Sequence, residues 1–63
     1  MTKFIEILNQ RRRTLINVEK IVTIYPDSEH NAIIIIEEKE KNEVISTSTH
    51  YNKVREMIKN ATE

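Results

Sequence analysis

Sixty-three residues carry ten basic and ten acidic side chains, so the formal net charge is zero and there is no global pull toward nucleic acid or an anionic membrane. The chain has no cysteine, which excludes disulfides and thiolate metal sites, and no glycine, which excludes a phosphate-binding loop. A single domain fits this length, and a core of this size rarely supplies more than ~3–5 kcal/mol of stability.

Residues 3–9 read as a first strand, with Ile5 and Ile7 on one face and Phe4 and Leu8 on the other. Asn9, Gln10 and Arg11 are polar and can turn, although no glycine favours a tight primed hairpin there. A second strand over residues 12–16 then returns antiparallel to the first. Asn17 interrupts the pattern and caps a short turn over Val18, Glu19 and Lys20, because its side chain accepts backbone N–H groups. Residues 21–25 form a third strand that Pro26 ends, having no N–H to give a ladder. Pro26, Asp27, Ser28 and Glu29 suit a type I turn led by Tyr25, with proline second.

The fourth strand, residues 32–37, dominates the pattern. Four consecutive isoleucines favour a pleated strand over a helix because of their stiff χ1. Ile33 and Ile35 face one way, Ile34 and Ile36 the other, and both faces therefore want to leave water. Residues 37–42 are polar or charged throughout and read as a solvated connection. A fifth strand over residues 43–47 has only Val44 and Ile45 as strong apolar residues, so it reads as an edge strand. From Thr49 the period changes. Tyr51, Val54, Met57, Ile58 and Ala61 recur at three and four, one stripe of an amphipathic helix near residues 50–61, with Ser48 or Thr49 as its N-cap. The expected fold is α+β: one antiparallel sheet of about five strands followed by a C-terminal helix.

Counting faces leads to assembly. One helix covers one sheet face, and the other still presents isoleucines. Contiguous apolar patches of that kind mark interfaces. With disulfides excluded, oligomerisation is the reinforcement expected for so small a core, with Ile33, Ile34, Ile35 and Ile36 as candidate interface residues. The expected partner is a second copy of the chain or another protein. A nucleic-acid-binding module is the alternative, with Arg11, Arg12 and Arg13 as candidate phosphate contacts. Only Phe4, Tyr25 and Tyr51 could stack on bases, and they suit core or rim positions better.

No catalytic residue and no cofactor is expected, and the chain is not expected to be an enzyme. His50 opens the helix but has no nucleophile and supporting carboxylate in a recognisable arrangement. His30 and His50 lie twenty residues apart with no ligand-pair spacing, and Glu37, Glu38, Glu40 and Glu43 lack the spacing of a calcium loop. No apolar run approaches the ~20 residues that span a bilayer, and no signal-peptide pattern is present, so the expected location is the cytoplasm, away from the membrane.

The order of these features resembles the FlbD family of small bacterial flagellum-associated proteins. Leu8 and Asn9 close the first strand, Ile16 and Asn17 the second; Ile21 and Ile24 follow, then the extended apolar strand, then a helix carrying Tyr51, Val54 and Ile58. Gln10 stands where the family usually has glycine. The resemblance implies a small non-enzymatic accessory protein and no catalytic residue.

Overall fold

A computed structural model describes residues 3–62, which run β1 (Phe4–Asn9), β2 (Arg12–Asn17), a 3-10 turn (Val18–Lys20), β3 (Ile21–Pro26), β4 (Asn31–Glu38), β5 (Lys41–His50) and α1 (Tyr51–Thr62). The class is α+β, with every strand pair antiparallel and one C-terminal helix. The five strands do not make one sheet. β1 and β2 form a separate hairpin, and β3, β4 and β5 form a three-stranded meander with the isoleucine strand in the middle.

The central place of β4 follows from its composition. Ala32, Ile34 and Ile36 are buried, and the register aligns Ile34 with Ile24 on one side and Ile45 on the other. Ile5 and Ile7 of β1, Ile16 of β2 and Val54 of α1 complete the same core. Tyr51, Met57, Ile58 and Ala61 pack around it half-buried, as their helical stripe requires. The hairpin and the helix thus cover the same face of the meander.

Several local boundaries differ from the sequence reading, each for a physical reason. Pro26 belongs to β3, opposite Ala32. It ends an edge strand, the one place in a sheet where a missing N–H is tolerated. The turn that follows is led by Asp27, not Tyr25. The His30 N–H donates to the Asp27 carbonyl (3.0 Å), and the Asp27 N–H donates to Asn31 (2.9 Å). The Asp27 carboxylate accepts the Glu29 and Asn31 N–H groups at 2.8 and 3.0 Å, and His30 closes the turn with φ 67°. This is a type I turn followed by a left-handed residue, a standard three-residue hairpin loop.

The charged segment 37–42 is mostly strand. Glu37 pairs with Asn42 and Glu38 with Lys41, leaving only Lys39 and Glu40 as the turn. Ladder hydrogen bonds come from the backbone, so solvated side chains do not stop the strand, and the Glu38–Lys41 pair sets opposite charges across it. β5 continues to His50, which moves the helix start. His50, rather than Ser48 or Thr49, supplies the cap, its Nδ1 accepting the Asn52 N–H at 3.1 Å. Asn17 caps the 3-10 turn as its sequence position suggests, accepting the Glu19 N–H at 2.9 Å.

One buried polar side chain joins the two sheets. Thr47, 5% exposed, donates its hydroxyl proton to the Leu8 carbonyl of β1 and accepts the Thr49 N–H (3.1 Å) where β5 departs from its regular register with β4. Thr47→Val keeps the shape and removes both bonds, and a buried polar group left unpaired costs about 1–3 kcal/mol. Thermal unfolding is expected to show that loss for Thr47→Val and to show much less for Thr47→Ser, which keeps the hydroxyl. A larger loss for Thr47→Ser than for Thr47→Val would assign the effect to the methyl group instead.

Candidate functional site

β4 alternates so strictly that its four isoleucines divide in two. Ile34 and Ile36 are 0% and 8% exposed within a single chain, so the core consumes them and they are not available to a partner. Ile33 and Ile35 lie on the opposite face and are half-buried. The register places Tyr25 and Ser46 on either side of Ile33, and Thr23 and Val44 on either side of Ile35. Cross-strand partners share a face, so these six side chains form one panel across three strands. Tyr25 is 45% and Val44 59% exposed, and neither the hairpin nor the helix covers this face.

The panel contains no charged residue. Glu37 and Asn42 border it at one end. The outer face of the β1–β2 hairpin is different. Phe4, Leu8 and Leu15 are exposed there, but the register intersperses them with Glu6 and Arg13. Of the two exposed apolar surfaces, the meander panel is the one uninterrupted by charge, and interface cores are depleted in charge. Alternation along the strand already places Ile33 and Ile35 together on one face; Tyr25 and Val44 join them there in the structure. Those two follow only from the pairing register, which no local pattern specifies.

The three arginines do not converge. Arg11 sits in the turn with φ 68°, while Arg12 and Arg13 oppose Asn9 and Leu8 and therefore point to opposite faces of the hairpin. Arg13 instead borders a shallow groove with Lys53 of α1, alongside Glu6, Leu8, Thr49 and Met57. Glu38, Glu40 and Glu43 edge a separate open hollow at the β4–β5 turn together with Lys39 and Lys41, which neutralise much of its charge. Among the described residues no three His, Asp or Glu side chains gather closely enough to hold a metal ion, and no helix is long and apolar enough to cross a membrane.

The two histidines do come together, against the expectation from their spacing. The Asn31–His50 pair brings the end of β5 beside the β3–β4 turn, and the Tyr51 N–H donates to the His30 carbonyl at 2.8 Å. Their rings stack with centroids 6.1 Å apart and planes inclined by 23°. Comparison of the chain with family models, curated proteins and solved structures yields no significant match.

Proposed function

We propose that this chain is a non-enzymatic interaction module that pairs with a second copy of itself through the outer face of its meander. The observation that carries the reading is the uncharged panel of Tyr25, Ile33, Ile35 and Val44 on the face that the chain's own hairpin and helix leave open. A second copy fits it because the same flat face is self-complementary across a two-fold axis, with the isoleucines of one chain over those of the other. The small core supplies the driving force, since burying this face adds apolar area that sixty-three residues cannot bury alone.

Size sets the expected strength. Three strands ~4.8 Å apart, each giving about five residues at ~3.3 Å, present a panel roughly 14 by 17 Å. That is small beside the ~800 Å² per partner of a standard stable interface. The pair is therefore expected to be in reversible equilibrium. Light scattering over a concentration series should show a mass rising from 7.5 kDa toward twice that value. A mass that stays at one chain up to millimolar protein would end this reading.

A further inference from the structure

We propose that His50 makes the start of α1 sensitive to protons: the neutral ring caps the helix, and the protonated ring cannot. The two histidines hold two backbone N–H groups at this helix start. The Tyr51 N–H donates to the His30 carbonyl at 2.8 Å, and the Asn52 N–H donates to His50 Nδ1 at 3.1 Å. An imidazole nitrogen accepts only while it carries no proton, so the cap requires a neutral ring with its proton on Nε2. Both histidines are exposed, so protons reach them from solvent.

Protonation at Nδ1 replaces the acceptor with an N–H that faces the Asn52 N–H, which leaves a donor at the helix start without its partner. It also places a positive charge at the N-terminal end of α1, where the helix dipole is already positive. The new imidazolium lies against the stacked ring of His30, with centroids 6.1 Å apart, and repulsion is strongest when both rings are charged. The charged neighbours come from three elements. On the β3–β4 turn the Asp27 carboxylate is taken up by the Glu29 and Asn31 N–H groups, and Glu29 is exposed. Lys53 adds a positive charge in the first turn of α1, and the hairpin brings Glu6 and Arg13, of opposite sign, to the groove beside Thr49 and Lys53. Across the strand pair His50 meets the uncharged Asn31, and β5 itself carries no charge from Val44 to Thr49. The consequence is a helix start that loosens on the acid side, at the point where the β3–β4 turn, β5 and α1 meet.

The test is thermal unfolding by circular dichroism at about pH 8 and about pH 5.5, a range in which imidazole is the side chain that ordinarily changes charge. Nitrogen NMR of the His50 ring accompanies it. The native chain is expected to melt about 4–8 °C lower at the acid end, the size of a lost cap in so short a chain. At the basic end the ring should carry its proton on Nε2, and the Asn52 amide signal should move as His50 takes up its second proton. His50→Asn supplies a cap acceptor that acid does not remove, so its melting temperature is expected to be nearly the same at both ends. His30→Asn keeps the cap and suits the left-handed turn position, which asparagine tolerates. It should retain the acid loss, reduced by the missing repulsion. A proton on Nδ1 of the native ring at the basic end would overturn the proposal, whether or not either variant folds. So would native melting that does not respond to acid, or an acid loss that persists in full in His50→Asn or disappears in His30→Asn, because the cap would then not be the sensor.

Discussion

Ile35→Lys is expected to give a folded chain that remains at single-chain mass where the native protein pairs, whereas Ile34→Lys is expected to give no folded chain. The two positions are adjacent in sequence and equal in chemistry, so the difference comes from the faces alone. Ile34 is fully buried between Ile24 and Ile45, in the same core as Val54. A lysine there either buries an unpaired charge or is forced neutral, and either cost exceeds the ~3–5 kcal/mol that a core of this size provides. At Ile35 the four-carbon stem of lysine lies along Val44 and carries its ammonium into water, so the fold survives. A second copy would then bring another ammonium to the same place, and like charges across a desolvated face oppose pairing. Circular dichroism and solution mass read the two outcomes separately. If Ile35→Lys pairs as the native chain does, the panel is not the contact surface. If Ile34→Lys folds, the assignment of faces is inverted.

That assignment shows what the sequence held and what it did not. Four β-branched residues in a row specify a strand, and alternation specifies that it has two apolar faces; both are local properties of residues 33–36. Which face turns inward depends on where the hairpin and helix come to rest. That is decided by residues far away in sequence, such as Thr47 bonded to the Leu8 carbonyl. The helix stripe from Tyr51 to Ala61 and the Asn17 cap were legible for the same local reason. The division into two sheets was not, because the period of a strand is silent about its neighbours. The stacked histidines were hidden in the same way. They lie at the ends of two elements, and only the pairing of Asn31 with His50 makes those ends adjacent.

The turn chemistry was legible in its composition and surprising in its outcome. A chain without glycine gives no sign of a tight primed hairpin, yet Gln10 and Arg11 alone connect the paired residues Asn9 and Arg12, with φ 51° and 68°. Both central residues in the left-handed region make a type I′ turn, the form that matches the twist of the flanking strands. The strands therefore impose on two ordinary residues a conformation that costs each roughly 1–2 kcal/mol through the clash of Cβ with the carbonyl. Replacing Gln10→Asn together with Arg11→Gly supplies the residues this turn favours. Part of the gain is offset because glycine also frees the unfolded chain. The net stabilisation is expected to be about 1–2 kcal/mol, and for a chain of this size each kcal/mol moves Tm by roughly 4–8 °C. Lys39→Gly, at φ 45°, relieves a single residue and is expected to give a smaller rise. Unchanged melting in the double variant would mean that the β1–β2 connection does not adopt the primed turn in solution. Because that variant also removes one of the three arginines without touching the meander panel, its solution mass should follow the native concentration dependence, which separates self-association through the sheet face from any contribution of the basic hairpin.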